Sequence, residues 1–118
     1  MKNKIRKYFE ICKGVAISGD CKEAQRRYRL GAVGIRTDGA IVVASNISTR
    51  TPSPPAHAEA RLTKKLNNRS IVYVVRINKS KHLANARPCK NCITTMRLRG
   101  ISRCYYSISE NEYGVIKF

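Results

Sequence analysis

Ile71-Val72-Tyr73-Val74-Val75-Arg76-Ile77 is the stretch on which the reading of the fold turns. Five of its seven residues are β-branched and Tyr73 is aromatic, an apolar run without the alternation of a half-exposed strand. Such a run is expected of a central strand covered on both faces. Upstream, three prolines fall within Thr51–Pro55, which rules out a regular element there and places Pro55 as the first residue of a helix over about Ala56–Leu66. Downstream, a polar loop over Asn78–Arg87 leads to Pro88, which opens a second helix that carries Cys89, Cys92, Ile93 and Met96 and ends near Gly100.

Further from the centre, apolar residues at Ile5, Tyr8, Phe9, Cys12, Val15 and Ala16 mark one face of a helix over Lys2–Ile17. Leu30–Ile35 and Ile41–Ala44 flank Thr37-Asp38-Gly39, the signature of a hairpin. Cys104–Ile108 and Val115–Phe118 read as the last two strands. Only Ser109–Gly114 separates them, whereas a parallel crossover needs about a dozen residues, so they are expected to pair antiparallel. The order helix, two strands, helix, strand, helix, two strands predicts a layered α/β domain with five strands.

At 118 residues and 42% hydrophobic, the chain fits one domain, residues 1–118, without repeats or low-complexity tracts. No apolar run approaches the roughly 18 to 20 residues of a membrane span, and Lys13 interrupts any signal-peptide core. The expectation is a soluble, intracellular, cytoplasmic protein, with a basic amphipathic presequence over Lys2–Ala16 as the alternative, against which Glu10 speaks. Five cysteines, an odd number, argue for reduced thiols or metal ligands rather than a disulfide framework. Cys12 and Cys104 read as core residues, and Cys21 has no assignment.

The formal net charge of +17, from 24 Lys and Arg against 7 Asp and Glu, points to a polyanionic or phosphate-bearing partner. For any single lysine, a solvated face is the simpler reading.

His57-Ala58-Glu59 opens one predicted helix and Pro88-Cys89-Lys90-Asn91-Cys92 the other, with the buried strand between them, so two helix starts converge at one end of the sheet. Cys89 and Cys92 are three apart on one helical face and can grip one ion together. With His57 they supply three ligands of the types zinc favours and leave the fourth position to water, which is the pattern of a catalytic rather than a structural site. His82, in the polar loop, is the residue that would close the coordination instead. Glu59 lies three and seven residues before Leu62 and Leu66, on the apolar side of its helix, where a carboxylate is costly unless it is used or paired. Partial burial raises such a carboxyl toward the range useful for proton transfer, and a nearby zinc lowers it again. His57 and Glu59 sit about 200° apart on an ideal helix, so they face one site only if His57 occupies the first turn.

Neither half of this pattern is specific alone, because C-x-x-C also serves redox pairs and zinc ribbons. Together and in this order they resemble the cytidine and deoxycytidylate deaminase superfamily, whose signature is H-x-E followed by P-C-x-x-C. The resemblance spans nearly the whole chain and implies a three-layer α/β/α sandwich around a five-stranded mixed sheet. It also implies one catalytic Zn2+ on His57, Cys89 and Cys92, with Glu59 carrying protons as cytosine becomes uracil and ammonia. Asn46 matches the asparagine that family members set against the sugar, though an ordinary polar strand end explains it equally. The amides of Ala58 and Cys89 and a backbone carbonyl beside Cys89 would orient the base, with Arg87 a further candidate substrate contact. Nucleoside deaminases usually carry cysteine where this chain has His57, which resembles the nucleotide and polynucleotide branches; the short last turn resembles the nucleoside branch instead.

Three functions therefore stand open. The first is deamination of a cytosine nucleoside or nucleotide by a homo-oligomer. The second is deamination of cytosine or adenine in single-stranded DNA or RNA, including transfer RNA, with Arg26, Arg27, Tyr28, Arg29, Lys79 and Lys81 as phosphate or nucleic-acid contacts. The third is a zinc-stabilised module that binds nucleic acid without chemistry, in which the Glu59 carboxylate has no use.

Overall fold

The computed structural model describes residues 2–18, 29–45, 62–78 and 80–118. Helix α1 (Asn3–Ser18) precedes strands β1 (Arg29–Ile35), β2 (Ile41–Ser45), β3 (Ile71–Ile77) and β4 (Leu83–Ala84). Helix α2 (Lys90–Arg99) and strands β5 (Arg103–Ser107) and β6 (Tyr113–Lys117) complete the described elements. The sheet runs β2-β1-β3-β5-β6, with β4 attached to β3. All contacts between neighbouring strands are antiparallel except β3 with β5, which α2 joins as a parallel crossover.

Strand β3 is central, and side-chain alternation divides it between two cores. Val72 and Val74 join Leu30, Ala32, Ala44, Cys104 and Tyr106 beneath Leu62, Leu66, Cys92 and Met96. Tyr73, Val75 and Ile77 join Val33 beneath Ile5, Phe9, Cys12 and Ala16 of α1. Both faces of one strand are thus sealed, which is why its sequence carries no alternation. The described layers form an α/β/α arrangement, as expected, and the last two strands pair antiparallel through Tyr105↔Val115 and Ser107↔Tyr113.

The β1–β2 turn forms where Asp-Gly predicts it. Gly39 takes φ 88° and the Asp38 carboxylate accepts the Ala40 amide at 3.0 Å. On the α1 face Tyr73 is sandwiched between Tyr8 (ring centres 4.7 Å apart) and Tyr105 (5.0 Å). Burial, then the neighbouring Tyr105, pushes its hydroxyl pKa up to about 12.

Three boundaries differ from the sequence reading. Among the described residues the sheet has six strands, because Leu83 and Ala84, inside the expected polar loop, pair with Ile77 and Arg76. Two residues carry no periodicity, and only the free edge left where β5 ends its pairing at Val74 makes them a strand. The helical residues before β3 end at Thr63 and a turn follows at Lys64–Lys65, so Leu66 is buried by packing and not as a helical position. Pro88 lies outside α2, whose N-cap is Cys89. The start of the helix expected from Ala56 lies outside the described residues.

Helix α1 lies so close to β1 that a Cβ on Gly31 would strike the Cys12 carbonyl and stand 2.7 Å from the Ala16 nitrogen. Gly31→Ala is expected to cost about 3 kcal/mol, since backbone cannot yield as a side-chain tip can. Gly14→Ala, on the exposed side of α1 with open space around it, should instead gain roughly 0.5–1 kcal/mol. Urea midpoints moving in opposite directions would bear this out.

Candidate active site

The carboxyl ends of β3 and β5 part at Ser107. Pairing between the two strands stops at Val74↔Tyr106, and the chain of residues 83–88 enters the gap. Ser107, fully buried, closes it: its hydroxyl donates to the Ala84 carbonyl at 2.7 Å and its own carbonyl accepts the Ala86 amide at 2.8 Å. The Ser107 hydroxyl oxygen also accepts the Arg76 amide at 3.4 Å. A crevice outside the carboxyl ends of parallel strands is where open α/β sheets place ligands. Here it delivers Pro88 and Cys89 to the mouth of the sheet.

Cys89 caps α2, its sulfur accepting the Cys92 amide at 3.4 Å, and the two sulfurs stand 3.2 Å apart without a disulfide. Cys89 is exposed and Cys92 buried. Two Zn–S bonds of about 2.3 Å in a tetrahedral site subtend about 3.8 Å, so the pair lies within roughly 0.6 Å of the span one zinc ion needs. Among the described residues no group of three metal-ligating side chains assembles, and His57 lies outside them.

The segment that carries His57 and Glu59 is held at its far end. Arg99 donates to the Leu66 carbonyl at 2.7 Å and to that of Lys64 at 3.4 Å, while Arg36 donates to that of Lys65 at 3.0 Å. Cationic donors thus satisfy carbonyls at a helix end, where the dipole favours them. Leu62 and Leu66 are both buried, but only Leu62 is helical, so the spacing from Glu59 to Leu66 is not that of one helical face.

His57, Ala58, Glu59, Asn46, Arg26, Arg27, Tyr28 and Lys79 fall outside the described residues, as does Cys21. Arg29 begins β1 opposite Ile77, and Ser45, the last residue of β2, pairs with Gly31, so both lie at the site end of the sheet. Lys81 lies in the turn that follows β3, at the same end, with φ 63°. His82 is exposed in that turn, its backbone amide donating to Asn78 Oδ1. Arg87 is exposed and donates to the Tyr106 hydroxyl at 2.9 Å. Sequence reasoning passed over Tyr106 and Ser107. Their signal was faint: inward alternation in β5, and a glycine, Gly114, opposite Tyr106.

The family model for the cytidine and deoxycytidylate deaminase zinc-binding region matches residues 2–108. The chain belongs to this family. Among solved structures the fold is similar to cytidine deaminase from Burkholderia pseudomallei, with TM-score 0.68 and 14% identity over 99% of this chain and 93% of that one. It is also similar to the Mycobacterium leprae enzyme, with TM-score 0.58 and 14% identity over 91% of this chain and 92% of that one. The Mycobacterium tuberculosis enzyme gives 0.54 and 14% over 89% and 82%. At such identities the likeness is one of fold. No curated protein matches the chain by sequence. No described helix is long and apolar enough to cross a membrane.

The thiols of this family member differ sharply in setting. Cys12 is buried and donates to the Tyr73 carbonyl at 3.3 Å, and burial pushes its thiol well above the ordinary range. In metal-stripped protein, iodoacetamide is expected to label Cys89 while Cys12 and Cys104 stay unlabelled between about pH 7 and 9 until the chain unfolds. Peptide mapping by mass spectrometry reads the result directly.

Proposed function

We propose that this chain is a zinc-dependent hydrolytic deaminase that converts cytosine to uracil in a nucleoside or nucleotide, with release of ammonia. The observation that carries the reading is the pair of sulfurs 3.2 Å apart at the start of α2, directly after the segment that enters between β3 and β5. Membership of a deaminase family described as zinc-binding supports it.

In this reading Cys89, Cys92 and His57 hold the metal. When bound, zinc lowers the pKa of the attacking water toward neutrality. Glu59 accepts that water's proton, hands it to the ring nitrogen next to the carbon under attack, and then serves the departing amine. Water adds, the C–N bond breaks, and the products are uracil and ammonia, with no net proton left on Glu59. Asn46 and the amides of Ala58 and Cys89 orient the sugar and base. A substrate carrying a phosphate chain, single-stranded DNA or RNA, is the second reading. It is favoured by Arg29, Lys81, Arg87 and Lys90, which all lie at the site end of the sheet.

Glu59→Ala is expected to keep its zinc and to lose at least about a thousandfold in kcat, since the proton carrier is gone while the ligands remain. Cys89→Ser should lose both zinc and turnover. The measurements are metal content of purified protein and uracil formation from cytidine, deoxycytidine, their monophosphates and single-stranded DNA and RNA. Full zinc occupancy with no turnover on any of these substrates would overturn the enzyme reading.

A further inference from the structure

We propose that Arg87 is a prebuilt phosphate site beside the cysteine pair, which selects a substrate bearing a phosphate over the free nucleoside. The inference rests on the deaminase reading for what occupies the neighbouring crevice. The anion site itself rests on the geometry around Tyr106.

Arg87 is held in place by one tyrosine. Its guanidinium donates to the Tyr106 hydroxyl at 2.9 Å and stands 5.7 Å from the ring centre. Tyr106 is itself fixed, 8% exposed in the core between Val74 and β6. Its ring and hydroxyl lie across Gly114, where any Cβ would collide with them. A glycine in β6 therefore lets a β5 tyrosine reach the mouth of the site and clamp an arginine there. Only Pro88 separates Arg87 from Cys89, a Cα–Cα distance of at most about 7.6 Å.

The clamp is neutral. Tyr106 accepts a hydrogen bond without cancelling the charge, and no carboxylate among the described residues stands within ion-pair distance of Arg87. The ion pair described, Arg36 with Asp38, belongs to the β1–β2 turn at the opposite end of the sheet. In the β5–β6 turn, Glu110 accepts the Leu83 amide and Glu112 the Ser109 hydroxyl. A guanidinium carries five N–H donors in a planar fork, and one hydrogen bond to Tyr106 leaves the others for a ligand. That fork matches phosphate oxygens, and holding it in advance removes much of the ordering cost that a free arginine meets on binding. Arg29, Lys81 and Lys90 add positive potential at the same sheet end. A solvated surface arginine needs neither a buried tyrosine partner nor a glycine to make room for that partner.

The phosphate belongs either to a mononucleotide or to a phosphodiester chain, and the test separates the two. The zinc-loaded full chain is titrated calorimetrically with deoxycytidine, with deoxycytidine 5′-monophosphate and with a short cytosine-containing oligonucleotide, and uracil release is followed in parallel. A phosphate-bearing ligand is expected to bind roughly tenfold or more tightly than deoxycytidine. Arg87→Gln should collapse that ratio toward one. Tyr106→Phe, which loses the hydroxyl alone, should reduce it about threefold through KM and not kcat. Lys117→Gln, a charge removed at the far end of the sheet, should leave the ratio as in the unmodified chain. Whichever ligand carries the Arg87-dependent gain identifies the source of the phosphate. No preference in the unmodified chain, a preference that survives Arg87→Gln, or an equal loss on all three ligands would overturn the proposal. Calorimetry reads binding without turnover. An Arg87-dependent preference without uracil release would therefore sink the deaminase reading and leave the anion site standing.

Discussion

The hydroxyl and carbonyl of Ser107 hold the place where this sheet opens. Parallel strands usually run side by side to their ends, but β5 leaves β3 after Val74 and a third segment takes its place. The backbone groups exposed by that separation sit in the interior, where an unpaired N–H or C=O is costly. Ser107 answers for them with bonds to Ala84, Ala86 and the Arg76 amide. Everything that follows in the chain, Arg87, Pro88, the Cys89 cap and helix α2, starts from the position this junction sets.

Around the junction the two sheet faces take different work. The α1 face is a sealed core in which Gly31 brings backbone against backbone and Tyr73 stacks between two other tyrosines. The opposite face carries Leu62, Leu66, Cys92 and Met96, and at its carboxyl end the cysteine pair and the Arg87–Tyr106 clamp. The contrast between Cys12 and Cys89 follows from this division. One thiol is desolvated under a helix and held protonated, while the other caps a helix at the surface.

Much of the fold was legible because its elements are long enough to show a period or a breaker. IVYVVRI reads as a doubly buried strand, Asp38-Gly39 as a turn, the α1 stripe as a helix, and the five-residue β5–β6 turn as a hairpin. What escaped were features without a period. Strand β4 is two residues long and exists because β5 vacates an edge. Pro88 reads as the first helical residue but sits one residue before the N-cap, since the two positions look alike in sequence until the Cys89 sulfur is seen accepting the Cys92 amide. Leu66 extended the apparent helix because spacing alone cannot distinguish a helical position from a turn residue packed on the same face.

By itself the sequence determined the order of the longer elements, the burial of the central strand and the cysteine pair at the start of α2. Those follow from local propensity, periodicity and motif spacing, which a chain carries in one dimension. The tertiary structure alone decided that the sulfurs of Cys89 and Cys92 stand 3.2 Å apart and that Arg87 is clamped by Tyr106 across the space left by Gly114. Arg87 and Tyr106 are nineteen residues apart, and Tyr106 meets Gly114 only through the register of β5 with β6. Packing between strands, which no local pattern encodes, turns an exposed arginine into an oriented one.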